Sequence, residues 1–394
     1  SLVGSEMCIR DSNNSLWDSQ TTYGSGNLGA APTSKESAID NIYNSWGAAM
    51  DGQLVPQFDG VSRPYVYQGD NSSKFYRTGT TFSNTVSLSS AGENGNVRFS
   101  VTNMDNDDIS PESTLDRNSL GLNTTQSFGD NITVDLNMKY LMEDQSGNPR
   151  LSDAPGNANW STKQYSPSVD VEWGKGPNGN GTDVDGLSEY VFTSGIFVQN
   201  PWFAQNMFIN DLEKDRFIGA ANVRFDLSDD IYMRAKVGLD RQDITQLISE
   251  PYGTRYKPLG AIVNVKLASK QTDADLLLGT DNLSITDDLS LTGFIGLSTT
   301  TSEFERVQVR GDDFIVPGLI THSNTSNKST NYGFSKSKIN SALGSVELGF
   351  SDYAFLTVTA RNDWFSTLSL AGKDSPNNDL YTSATLSLIL SDAL

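Results

Sequence analysis

Apolar and polar residues alternate along most of this chain. Phe82, Val86 and Leu88 are interleaved with Thr81, Ser83, Thr85 and Ser87. After Gly92-Glu93-Asn94-Gly95 the alternation resumes, with Val97, Phe99 and Val101 set between Arg98, Ser100 and Thr102. A period of two places one set of side chains on each face of a β-strand. Two such runs joined by a short Gly/Asn segment predict a hairpin. The unit recurs: runs around Leu120–Leu122 and Ile132–Tyr140 flank 129–131, and runs over Phe217–Leu227 and Ile231–Leu239 flank 228–230. Leu283–Ile285 and Leu289–Leu297 flank 286–288, and Val346–Phe350 and Leu356–Ala360 flank 351–353. Ala384–Leu390 leads to a last turn expected at 391–393. The alternation gives roughly 12 strands of about 9–12 residues each.

The connections sort into two kinds. Those just named are short and acidic. The others are long and irregular, expected over 104–117, 143–214, 243–273, 299–336 and 366–380. Short turns at one end and long loops at the other is the arrangement of an outer-membrane barrel, and strands of this length suit a tilted bilayer crossing. The fold class expected is all-β: an antiparallel up-and-down transmembrane β-barrel. Val134, Leu136, Val223, Phe225, Val237, Leu291, Val358 and Leu388 are expected on the lipid face, and Arg98, Asp135, Arg224 and Lys236 on the lumen face.

Composition narrows the functions. The 394 residues carry 28 Lys+Arg against 48 Asp+Glu, a net charge of −20, so no basic surface is available for nucleic acid. One cysteine and one histidine, Cys8 and His322, exclude a disulfide scaffold and a His-based zinc site. The longest strictly apolar run is Tyr353–Leu356, too short for a membrane-spanning helix. His322, in a Ser/Thr/Asn-rich stretch, is expected as a solvated loop residue. The neighbours Asp107-Asp108 and Asp312-Asp313 cannot face each other across a glycosidic bond from one strand, and are expected as solvated loop acids. No catalytic residue and no cofactor is expected.

Two sets of side chains remain as binding candidates. Asp183 and Asp185 alternate ahead of Gly186 as in a calcium loop, but Gly181 and Phe192 stand where further ligands belong. The other reading of that stretch is a solvated acidic loop. Trp160, Trp173 and Trp202 fall in the longest connection and could stack on a sugar or peptide; packing within the loops is the alternative. Trp364, at a strand end, fits an aromatic girdle or a loop anchor.

Several segments resemble one family. Tyr23-Gly24-Ser25-Gly26, Ser45-Trp46-Gly47-Ala48-Ala49-Met50-Asp51-Gly52, Phe75-Tyr76-Arg77-Thr78-Gly79, Asp215-Arg216-Phe217-Ile218-Gly219 and Arg361-Asn362-Asp363-Trp364-Phe365-Ser366-Thr367-Leu368 follow one another in the order of motifs in the SusC/RagA family of TonB-linked outer-membrane transporters. Ala48 departs from that pattern, which has Pro there. The resemblance implies a barrel of about 22 strands with an N-terminal plug, of which this chain would hold roughly 12 and no plug. Residues 1–12 resemble a translated sequencing adapter. On this reading 13–79 is the start of the barrel and a first long extracellular segment, and 80–394 the barrel hairpins, an internal piece of a longer protein.

The resemblance also implies function: TonB-dependent import of oligosaccharides or peptides across a Gram-negative outer membrane, with a SusD-like surface lipoprotein as lid. The TonB complex would act through the missing plug, and outer-membrane lipid would surround the wall. A passive porin or surface adhesin barrel is the first alternative. A soluble all-β carbohydrate-binding or hydrolytic protein is the second.

Overall fold

The computed structural model describes residues 20–351, 353–368 and 376–389. The adapter-like residues 1–12, Trp17 and the turn expected at 391–393 lie outside the described residues. The protein is all-β. Its main body is one 11-stranded antiparallel sheet in which every strand pairs with its neighbours in sequence. The strands are β3 (Thr80–Gly92), β4 (Gly95–Asp107), β5 (Thr114–Phe128), β6 (Ile132–Ser146), β7 (Ile209–Asp226), β8 (Ile231–Glu250), β9 (Ala261–Thr286), β10 (Leu289–Phe314), β11 (Thr325–Phe350), β12 (Ala354–Phe365) and β13 (Asn378–Leu388). This is the wall of a partial up-and-down β-barrel.

Among the described residues the short turns fall where the sequence places them. The strands themselves run much further, to 26 residues in β9, β10 and β11, or ~85 Å of chain at about 3.3 Å per residue. The connections expected at 104–117, 243–273 and 299–336 contract to 108–113, 251–260 and 315–324. The reason is chemical. Beyond the apolar stretch both faces of a strand carry polar residues, as at Ser302-Glu303-Phe304-Glu305, and the alternation that marks a strand disappears while its hydrogen bonds continue.

The register assigns the faces. Ile132, Phe225, Met233, Leu278, Ile295, Gly344 and Ala360 lie directly opposite one another in turn from β6 to β12. The next row upward holds Val134, Val223, Ala235, Leu276, Leu297 and Ala342. Asp135, Asn222, Lys236, Asp275, Ser298 and Ser341 form a row of the other face. The apolar face is exposed: Val86 67%, Ile295 64%, Leu297 63% and Leu386 66%. On the polar face Tyr232 and Leu277 are buried, while Ile218, Phe304 and Tyr381 are exposed.

The apolar belt runs obliquely to these rows. On β7 its upper limit is Phe217, level with Tyr140 on β6; Asp215 and Glu213 follow on that face. On β12 its upper limit is Ala360, in the row of Phe225. The belt has therefore dropped by the eight residues from 217 to 225 over the five strand steps from β7 to β12. At ~3.3 Å per residue and ~4.8 Å per strand, a level belt requires strands tilted by roughly 45°. Barrel strands tilt by about 35–45°.

A second body sits at the end of the wall carrying the long connections. Residues 20–79 add no strand to the large sheet. They hold α1 (Lys35–Asp40), the hairpin of β1 (Leu54–Pro56) and β2 (Ser62–Pro64), and α2 (Asn71–Phe75). The 147–208 connection holds α3 (Ala158–Thr162), a 3-10 turn at Val171–Lys175 and α4 (Pro201–Met207).

Candidate functional site

The segments 20–79 and 147–208 form one folded cap. Each of its short helices starts on a side chain that takes over an unpaired backbone N–H. Asp70 accepts from Ser72, Asn157 from Asn159, Asp170 from Glu172 and Asn200 from Trp202, with Pro201 as the first residue of α4. The helices enclose one cluster of Phe75, Ala158, Val171, Trp202, Phe203, Ala204 and Phe208. Ile42, Phe58, Val169 and Phe192 make a second. Asn71 stitches the two segments together: its Nδ2 donates to Val169 O at 2.8 Å and its Oδ1 accepts from Val171 N at 2.9 Å. Lys74 pairs with Asp170 at 2.6 Å.

The cap reaches onto the neighbouring connections. Glu189 N donates to Gly253 O at 3.1 Å. The buried Glu189 carboxylate accepts from Asn200 N at 2.6 Å and Arg255 N at 3.3 Å. Arg255 also donates to Thr193 O at 3.0 Å. Burial pushes the Glu189 carboxyl up to about 7, against the lowering effect of those N–H groups and of Arg255. Arg150 pairs with Glu250, at the top of β8, at 3.0 Å.

The three tryptophans singled out by sequence take different places. Trp202 is buried in the first cluster, and its indole N–H donates to Val171 O at 2.8 Å. Its ring serves packing, with Lys175 Nζ 4.4 Å above its centroid. Trp173 is half-buried beside the second cluster under the Arg63 guanidinium, 4.3 Å away. Trp160, on α3, is exposed. Trp364 points from β12 to the same face as Asn340 and Asn362, where a girdle residue belongs.

Asp183 and Asp185 are both exposed, and each carboxylate accepts hydrogen bonds from residues beside it in sequence. Asp183 Oδ1 accepts from Val184 N at 2.8 Å. Asp185 accepts from the Ser188 hydroxyl at 2.6 Å and from Leu187 and Ser188 N–H at 2.9 and 2.8 Å. These bonds, the Ser188 hydroxyl first, hold its carboxyl below the usual range.

Two expectations are corrected here. His322 is not a freely solvated loop residue: it is half-buried, with Nε2 2.6 Å from Asn264 Oδ1. Burial, then Lys328, pulls its pKa down. Asp312 is not a loop acid but stands at the top of β10, paired with Arg310 at 2.8 Å and with Lys257.

Sequence reasoning missed the wall recess. A cavity of about 500 Å³ is lined from the polar face by Arg216, Asp240, Gln242, Gln271, Ser302 and Phe304, among others. A smaller one of about 310 Å³ has Phe294, Leu343, Thr359, Arg361 and Tyr381 along it. Both lie chiefly on the polar face, which marks it as concave. The signal was in the sequence: these are alternate residues of strands whose outer halves had been assigned to loops.

Comparison with known proteins agrees with the fold. No protein-family model and no curated protein matches the chain. Among solved structures, the RagAB peptide transporter matches 81% of this chain and 35% of its own, with TM-score 0.63 and 15% identity. The RagAB peptide importer in the open-open state matches 80% and 34%, with TM-score 0.64 and 15% identity. In the closed-closed state it matches 93% and 43%, with TM-score 0.63 and 14% identity. The chain thus spans between a third and under half of those proteins.

Proposed function

We propose that this chain forms wall and cap of a TonB-dependent importer in a Gram-negative outer membrane. The observation that carries this reading is the exposed apolar belt, level only if the strands tilt as barrel strands do. A water-soluble protein does not leave such a belt uncovered, whereas lipid requires it. The polar face, with its recess and its charged pairs, then lines a wet lumen. The long connections, gathered into a cap rather than left loose, stand over that lumen on the outer side.

The cargo under this reading is a polar polymer fragment, a peptide or an oligosaccharide, too large for simple diffusion. The resemblance of the sequence motifs implies a surface-lipoprotein partner, and a SusD-like lid docking on the cap is the expectation here. Trp160 is the tryptophan of the long connection placed to touch either. Deletion of 147–208, replaced by a short Gly/Ser turn in the full-length transporter, tests the reading. Wall assembly should survive, since the wall hydrogen bonds do not pass through the cap. Uptake and lipoprotein capture should be lost. Import at the normal rate by the deleted protein would rule the reading out.

A further inference from the structure

Two motifs have no role in the reading so far: Tyr23-Gly24-Ser25-Gly26 and Ser45-Trp46-Gly47. The structure folds them into one element. Tyr23 bridges to Ala49 and Gly26 to Ser45. Gly24 N donates to Ala48 O at 3.3 Å, and Gly47 N to Gly24 O at 3.1 Å. The glycines permit this approach. A Cβ on Gly47 would come within 2.4 Å of Ser25 O, and one on Gly24 within 2.4 Å of the Tyr65 ring. Tyr65, wholly buried, closes the element from below by donating its hydroxyl to Ser25 O. Ser168 Oγ accepts from Ser25 N at 2.7 Å, which ties the element to the long connection.

What this rigid base presents is an aromatic pair. The Tyr23 and Trp46 rings stand 6.0 Å apart with planes inclined at 39°. Tyr23 is 41% exposed and Trp46 66%. Among the described residues neither the Trp46 indole N–H nor the Tyr23 hydroxyl has a hydrogen-bond partner. The segments flanking the pair give it a mostly polar rim of exposed Thr21, Thr22, Asp51 and Gln53, with Leu28 as an exposed apolar member next to Gly29, whose N–H donates to Trp46 O at 3.1 Å. Lys35 is the sole cation between 20 and 57.

We propose that Tyr23 and Trp46 form a stacking site for a neutral sugar ring. Aromatic faces receive the C–H face of a pyranose, and the free indole N–H and phenol hydroxyl, with the carboxylate and amide of the rim, suit its hydroxyls. With Lys35 the sole cation between 20 and 57, this segment offers little to an anionic ligand. The assignment rests on the import reading for its purpose, while the binding itself is a property of this element.

The test uses the full-length protein in detergent micelles, titrated with linear hexasaccharides of glucose, xylose and mannose, and with a neutral hexapeptide. At least one hexasaccharide should bind and change the tryptophan emission. Trp46→Ala should weaken that binding at least tenfold. Trp46→Phe, which keeps a ring, should recover most of it and shows that the site still folds. Val184→Ala, exposed on another connection, should bind as the wild type does. The proposal is overturned if no hexasaccharide binds, if Trp46→Ala binds as tightly, or if the hexapeptide alone is bound through Trp46. Uptake measured separately distinguishes the two readings: sugar binding through Trp46 by a full-length protein that never imports would remove the import reading and keep the site.

Discussion

The wall and the cap use the same apolar side chains in opposite ways. In the cap, Tyr65, Phe192 and Phe203 are completely buried. On the wall, Val86, Leu88, Ile295 and Leu297 are mostly exposed, and they are exposed together, as one belt. The cap therefore folds as a water-soluble domain does, by enclosing its aromatic residues. The wall instead satisfies its backbone through an antiparallel ladder and leaves its apolar face uncovered, which on the import reading is the face that meets lipid. One chain is thus written for two solvents, and the change of rule occurs at the tops of the strands, where both faces become polar.

The largest expected effect breaks the wall rule. Leu278→Arg puts a charge into the middle of the belt, between Met233 and Ile295. A cation at the bilayer midplane costs about 2–4 kcal/mol, so assembly into membranes should fail or yield a barrel that unfolds at markedly lower denaturant. Gln271→Arg, on the polar face of the same strand, should assemble normally. Equal assembly of the two variants, scored by membrane fractionation, would mean that the faces do not differ in solvent.

The cap rule breaks elsewhere. Phe203→Ala removes a buried ring from the first cluster, at about 3–5 kcal/mol. That loss falls on the cap alone: residues 147–208 should become protease-sensitive while the wall keeps its resistance. Loss of both together would show that cap and wall unfold as one unit.

The halves were not equally legible. Strand faces and short turns followed from period two, because one apolar face and one polar face keep Val134 and Asp135, or Val223 and Arg224, on opposite sides. The strand tops were illegible, since nothing in Glu303 or Lys336 distinguishes a strand with two wet faces from a loop; only their pairing does, at 2.7 Å across β10 and β11. The cap was not legible: the helices that Asp70, Asn157, Asp170 and Asn200 cap run only five to seven residues, too short for a helical period to show. Its assembly rests on contacts such as Ser25 with Ser168 and Asn71 with Val169, which no local pattern announces. The same gap explains Trp202: a tryptophan in a long connection reads as exposed until the connection proves to have a core.

A pH effect should distinguish the junction of cap and connections from either body. The Glu189 carboxyl has its ordinary range near 4.5 when unfolded and about 7 when folded. The folded form therefore holds its proton more tightly. Its stability contribution is fully present below about pH 4.5, declines as pH rises toward 7, and is flat above that. The span corresponds to about 3 kcal/mol at most. Protection of the 186–200 and 253–258 amides, corrected for the intrinsic rise of exchange with pH, should fall from pH 5 to 7 and then level off, and Glu189→Gln should flatten the profile. Corrected protection that rises over the same range would reverse the sign and refute the assignment.

The smallest effect concerns charges within the wall. Arg216 and Asp240 pair at 2.6 Å in the recess, but both side chains stay more than a third exposed. Exposed pairs contribute about 0–1 kcal/mol. Asp240→Asn should therefore shift the denaturation midpoint little at low salt and not at all near 1 M, where screening acts within about 3 Å. Glu143 differs. Its side chain is 9% exposed and is shared by Arg117 at 2.6 Å and Lys214 at 2.9 Å, at the strand tops where wall meets cap. Glu143→Gln leaves two cations facing each other with less solvent to shield them, and the penalty should reach about 1–2 kcal/mol and persist in salt. If the two substitutions behaved alike at both ionic strengths, the strand tops would be as wet as the lumen, and the cap would not seal the wall beneath it.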